Sequence, residues 1–123
     1  MQVAGKVVVV TGGAAGIGAA LCHRFQREGA AFIAVVDRDA EAAQRVAEAV
    51  DGIAYTVDVA DRTAVEGLVA DVEGRNGRID LFCSNAGVGD GDPDPSWAVS
   101  ATDAAWEKLW RINVMAHVHA ARA

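Results

Sequence analysis

Three glycines carry the first chemical signal in this chain: Gly12, Gly16 and Gly18 of "TGGAAGIG" (11–18). They follow the apolar run "KVVVV" and precede helix-forming residues. Glycine weakens strands and helices by roughly 0.5–1 kcal/mol relative to alanine, so a cluster at a strand-to-helix junction needs a reason. A helix N-terminus presents unpaired N–H groups and the positive end of its dipole. A diphosphate can lie against it if no side chain intervenes. In that arrangement Gly12 permits the tight turn out of the strand, Gly16 lets a ligand approach the backbone, and Gly18 lets the helix pack closely on the sheet. The spacing, G-x-x-x-G-x-G, is not the G-x-G-x-x-G of the generic fingerprint. A flexible turn plus helix cap is the plain alternative.

Asp37 supplies an independent signal. It ends the second apolar run in "AVVDRD", about 20 residues past the glycines, where an acidic residue meets a ribose. A carboxylate accepts hydrogen bonds from both ribose hydroxyls, each worth roughly 1.5–3 kcal/mol, and repels a 2′-phosphate. This favours NAD over NADP. Arg38 pulls the other way, since an arginine just past the strand can face a 2′-phosphate. Asp37 or Asp39 could instead cap the helix of "DRDAEAAQRV".

The elements that must hold these residues are legible as a rhythm. Short apolar runs at 6–10, 32–36, 53–57 and 80–83 read as strands buried on both faces. Helical patterns lie between them. Ile17, Leu21 and Phe25 recur at four-residue spacing, and "REGA" (27–30) places a glycine where a helix stops. Ala40, Ala43, Val46, Ala47 and Val50 repeat the pattern, as do Val65, Leu68, Val69 and Val72. The third helix starts at "DRTAVE", where Asp61 or Thr63 can cap and Thr63 with Glu66 has capping-box spacing. A last helix is expected from about Asp103 onward. Strand–helix alternation of this kind means βαβ units with right-handed crossovers. The expected fold is α/β, a doubly wound parallel sheet of about four βα units. The irregular stretch 87–101 follows the fourth strand, at the edge where such sheets bind ligands.

Bulk properties narrow the classes. At 123 residues the chain suits one domain, and 52% hydrophobic residues argue against disorder. A net charge of −6 argues against nucleic acid or an anionic membrane as partner. No apolar run approaches the roughly 20 residues of a membrane span, and the N-terminus lacks a basic region before its short apolar run. With two cysteines and no disulfide framework, the expected compartment is the cytoplasm.

Taken together, "TGGAAGIG", Asp37, "DV" (58–59), "NAG" (85–87) and "INV" (112–114) resemble the short-chain dehydrogenase/reductase family. The resemblance runs from Lys6 to the last residue, and it implies a Rossmann-like sheet with these strands in the order 3-2-1-4. Each motif is modest alone; in this order they are specific. The resemblance implies a glycine loop of the form T-G-x-x-x-G-x-G, with Gly12, Ala15, Gly16, Ile17 and Gly18 against the cofactor. It implies that Asp37 and Arg38 face the adenosine ribose, that Asp58 receives the adenine amino group with the Val59 backbone, and that Asn85, Ala86 and Gly87 lie against a cofactor ribose. The family often reads N-N-A-G, and Ser84 here replaces the first Asn. Asn113 matches the helix asparagine of the family's Asn-Ser-Tyr-Lys catalytic set, where it holds a water in a proton relay. The implied cofactor is NAD, with NADP second; the implied reaction moves a hydride between an alcohol or carbonyl substrate and nicotinamide. The full-length protein is implied to be a homo-oligomer.

The family's tyrosine general acid/base, with a lysine four residues on, has no counterpart. Tyr55 is the single tyrosine, Val59 stands four residues later, and the lysines are Lys6 and Lys108. Residues 1–123 are therefore expected to form an NAD-binding, Rossmann-type domain corresponding to the N-terminal portion of such an enzyme, with the catalytic half outside it and no activity alone. A non-catalytic dinucleotide-binding or regulatory module is the alternative.

Smaller features get bland readings. His117 and His119 form H-x-H on a helix, about 200° apart and poor joint metal ligands; no metal site is expected. His23, Cys22 and Cys83 read as structural. Trp106 and Trp110, four apart, read as core packing and mark the last helix as largely buried, although in the family this helix often pairs with a second subunit. Trp97 could line a cleft. The aspartates of "GDGDPDP" read as a solvated loop.

Overall fold

The computed structural model describes residues 2–89 and 100–123. Strands β1 (Val7–Thr11), β2 (Phe32–Asp37), β3 (Ile53–Thr56) and β4 (Leu81–Cys83) alternate with helices α1 (Gly16–Arg27), α2 (Ala40–Ala49) and α3 (Arg62–Asn76). A last helical run comprises α4 (Asp103–Trp110), a π-helical turn (Arg111–Met115) and α5 (Ala116–Arg122). The sheet is parallel throughout, in the order β3-β2-β1-β4. This is the doubly wound arrangement expected.

Alternation along the two central strands explains why helices cover both faces. Val8, Val10, Ile33 and Val35 point to one side, against Cys22 of α1 and Ala43 and Ala47 of α2. Val7, Val9, Ala34 and Val36 point to the other, against Leu68 and Val72 of α3. β1 and β2 are thus buried on both faces. β3 and β4 are not: they are the sheet's edges, and Ile53 is 40% exposed. Asp80 fastens β4 to β1, accepting hydrogen bonds from the Val7 N–H and the Lys6 ammonium, both at 3.0 Å. Those bonds, the Val7 N–H first, hold its carboxyl below the usual carboxylate range.

Several local expectations need correction. Ile17 does not continue the core stripe of Leu21 and Phe25; it is 74% exposed. It sits in the first turn of α1, and a helical side chain leans toward the N-terminus, past the packed face. Trp106 and Trp110 are 52% and 59% exposed, and α4 has no buried residue, so this helix is not core. Asp61 alone caps α3, through the Thr63 and Ala64 N–H groups, while Glu66 pairs with Arg62 rather than closing a capping box. Residues 90–99, which hold Trp97, the prolines and the aspartates of "GDGDPDP", lie outside the described residues. No helix among the described residues is long and apolar enough to cross a membrane.

Candidate functional site

The glycine loop leaves β1 with Gly12 at φ +65°. A Cβ on Gly12 would lie 2.9 Å from Ala86 Cα and 3.1 Å from Asn85 Nδ2. On Gly18 it would lie 2.0 Å from the Gly12 carbonyl oxygen and 2.8 Å from Asn85 Nδ2. Gly18 therefore serves contact between α1, the loop and the N-A-G segment, more than packing on the sheet in general. Gly13 is enclosed too, less severely than Gly18: a Cβ would meet Val35 Cγ1 at 2.9 Å, and its N–H donates to the Val36 carbonyl at 3.0 Å. Gly16 differs, with φ +52° and open space where a side chain would point.

Helix capping singles out the same place. Asp39 caps α2, Asp61 caps α3 and Thr102 caps α4, each accepting a backbone N–H. At α1 the N-cap is Ala15, no side chain caps it, and no acidic residue occupies the first turn. Orphan N–H groups at a helix end need a partner from water, a side chain or a ligand. A bare, glycine-lined N-terminus suits an anion.

Asp37 reaches this loop from the end of β2. Its Oδ2 accepts the Ala14 N–H at 3.2 Å and its Oδ1 the Asp39 N–H at 3.1 Å. A carboxylate offers about four acceptor sites, so capacity remains for two hydroxyls. Asp39, not Asp37, is the α2 cap. Asp58, exposed after β3, accepts the Ala60 N–H at 2.9 Å on Oδ1. Arg38, Asp58 and Val59 line the same cleft as Asp37.

The N-A-G segment is held by a residue the motif reading passed over. Thr11, 2% exposed, accepts the Asn85 N–H at 3.0 Å and the Ala86 N–H at 3.1 Å on Oγ1. Asn85 Nδ2 donates back to the Thr11 carbonyl at 3.0 Å. On the far side, Asn113 binds Val88 twice: Oδ1 accepts the Val88 N–H and Nδ2 donates to the Val88 carbonyl, both at 2.9 Å. The side chain of Asn113 thus does for Val88 what a neighbouring strand would do. It lies within the π-helical turn, a feature frequent at functional sites.

One cleft, about 550 Å³ of space continuous with solvent, collects Gly12, Asp37, Arg38, Asp58, Ala86 and Gly87 on its walls. Val59 lines it too, as do Val57 and Val88, which lie outside the motifs, and Ile112, which opens the I-N-V motif but has no role assigned by it. Ile112 had a signal, standing beside Asn113; Gly13 and Thr11 stood inside the glycine motif. Ala15, Gly16 and Ile17 form the exposed start of α1, Gly18 and Asn85 lie beneath the loop, and Asn113 acts through Val88. Tyr55 is elsewhere: its hydroxyl donates to Asp71 at 2.9 Å, and burial first, then that bond, pushes its pKa up to about 12. Among the described residues no cluster of three or more His, Cys, Asp or Glu could hold a metal.

A family model described as short chain dehydrogenase matches residues 6–123. The chain is 40% identical over 122 residues to the 1-deoxy-11-beta-hydroxypentalenate dehydrogenase of Streptomyces arenae, a match covering 96% of this chain and 43% of that protein. The 3-ketoacyl-(acyl-carrier-protein) reductase from Brucella melitensis, complexed with NADH, superposes with a TM-score of 0.90 at 28% identity, covering 98% of this chain and 49% of the other. A metagenomic short-chain oxidoreductase in complex with NADP gives 0.88 at 29% identity, covering 100% and 56%. The chain therefore spans about half the length of these proteins.

Proposed function

The chain belongs to the short-chain dehydrogenase family, and from that premise we propose that residues 1–123 form the NAD-binding, Rossmann-type domain of an oxidoreductase. The reaction is hydride transfer between an alcohol or carbonyl carbon and nicotinamide. One observation carries the cofactor reading: the N-terminus of α1 has no side-chain cap and opens at Gly16, where nothing lies within 4 Å of the place a Cβ would take. The residues present fit a dinucleotide. The first turn of α1 would take its diphosphate, Asp37 the adenosine ribose, Asp58 and Val59 the adenine, and Ala86 with Gly87 the second ribose. When bound, the nicotinamide supplies the hydride donor or acceptor. Asn113 is a positioning residue, orienting the backbone at Val88 beside that ribose, with one lone pair and one N–H left for a water. Trp106 and Trp110, exposed on α4, support the homo-oligomer implied by the family.

NAD is the preferred cofactor because the Asp37 carboxylate repels a 2′-phosphate. The competing reading rests on Arg38, which also lines a second depression together with Lys108 and Arg111. Titrating NAD and NADP by calorimetry into wild-type and Asp37→Ser chains decides between them. The substitution is expected to weaken NAD at least about tenfold, from the loss of one or more charge-assisted hydrogen bonds, and to tighten NADP. An unchanged NAD-to-NADP ratio would remove Asp37 from the ribose. Failure of the wild type to bind either dinucleotide would end the cofactor reading.

These residues alone are expected to turn over no substrate. Tyr55 is tied to Asp71 with a raised pKa, the opposite of what a general base near neutrality requires. Lys6 pairs with Asp80. Steady reduction of NAD by the purified 123-residue chain, across a panel of alcohols, would refute this; dinucleotide binding without turnover is the expected outcome.

A further inference from the structure

The H-x-H pair of the last helix has no role in the reading above, yet each imidazole touches a segment of the cleft. His117 Nδ1 lies 2.7 Å from Ser84 Oγ, immediately before the N-A-G segment. His119 Nδ1 lies 3.4 Å from the Val59 carbonyl, a longer contact on the adenine side. Two residues apart on a helix point to nearly opposite sides. The geometry that makes them poor joint ligands lets them reach two different elements.

We propose that His117 and His119 are positioning residues that brace the helical run 103–122 between the D-V loop and the N-A-G segment, and so fix the gap across which the cofactor lies. The need for a brace follows from the sheet. β4 pairs with β1 only through Leu81, Phe82 and Cys83, and beyond them no ladder continues. Residues 84–88 are instead held by side chains: Thr11 from the β1 side, Asn113 and His117 from the helix. Ala86 stands between those two sets, and it is the residue that closes on Gly12. A shift at Ser84 is therefore felt at the glycine cradle. His119 acts on the other wall, at the carbonyl of Val59, a residue that lines the cleft. The inference rests on the dinucleotide reading for its effect on affinity, but not for the brace itself.

Nδ1 makes both contacts, which gives the test its discrimination. An Asn side chain places a polar atom near the Nδ1 position, whereas Gln places one near Nε2. The full 123-residue chain is compared as wild type, H117A, H117N, H117Q, S84A and H119A. Dinucleotide affinity is read by calorimetry with NADH, and amide hydrogen exchange is read at Asn85, Ala86 and Ala60. H117A, H117Q and S84A are each expected to weaken NADH about 5- to 10-fold, the range of one net hydrogen bond, and to speed exchange at Asn85 and Ala86 by a similar factor. H117N is expected to stay within about twofold of wild type. H119A should speed exchange at Ala60 and leave Asn85 unchanged. If H117A fails to fold, S84A removes the same bond from the other side. Wild-type affinity and exchange in H117A and S84A would overturn the proposal, as would H117N behaving like H117A, since packing of the ring would then be the whole role. Should wild type bind neither dinucleotide, the cofactor reading fails and the exchange measurements alone still decide the brace.

Discussion

A Gly18→Ala chain is expected to lose about 3 kcal/mol or more of stability and all measurable dinucleotide binding. The added methyl would have to occupy space 2.0 Å from the Gly12 carbonyl oxygen and 2.7 Å from its carbon. Neither is the end of a flexible side chain that can swing aside. Either β1's exit or the start of α1 must move, and Asn85 Nδ2 at 2.8 Å carries that movement into the N-A-G segment. Gly16→Ala is the control from the same loop. It meets no atom within 4 Å and carries only the strain of φ +52°, roughly 1–2 kcal/mol. Urea denaturation of both variants checks the ordering. Equal losses at the two positions would mean that close approach is not what Gly18 provides.

That contrast shows where the sequence was legible. Strand–helix rhythm and alternation were enough for a parallel sheet covered on both faces, because buried central strands and stripes such as Val65, Leu68, Val69 and Val72 follow directly from that need; the order of the strands came with the family resemblance. The glycine cluster and Asp37 drew attention to the carboxyl ends of β1 and β2, where Gly12 and Asp37 line one cleft. Three things were not legible, and each depends on long-range partners. Ile17 fits the four-residue stripe but sits in the first turn of α1 and is exposed, which periodicity along a single helix does not register. Trp106 and Trp110 share a face, but nothing in the pattern says whether that face meets the core, and here both are exposed on a helix with no buried residue. Ser84 and His117 are 33 residues apart, and neither belongs to a motif that names the other. Thr11 is the intermediate case: it stood first in "TGGAAGIG", and only the folded chain shows its hydroxyl beneath the N-A-G backbone.

Thr11→Val should therefore be far more damaging than its near-identical shape suggests, with a loss of about 2–3 kcal/mol and weakened dinucleotide binding. The hydroxyl is buried and accepts two successive N–H groups, from Asn85 and Ala86. The Asn85 N–H has a second acceptor in the Cys83 carbonyl at 2.9 Å. The Ala86 N–H relies on Thr11. Valine fills the same volume and accepts nothing, so a partly buried donor is left unmade, at about 1–3 kcal/mol. Loosening Ala86 then relaxes its approach to Gly12. Thr11→Ser separates this from packing: it deletes a methyl, worth about 1 kcal/mol, and keeps the acceptor. Serine should consequently outperform valine in both urea midpoint and NADH affinity, although valine is the better strand former and the more apolar residue at a site that is 2% exposed. The reverse order would mean that the hydroxyl contributes no more than volume, and that the N-A-G segment is held in place by Asn85 and Asn113 without it.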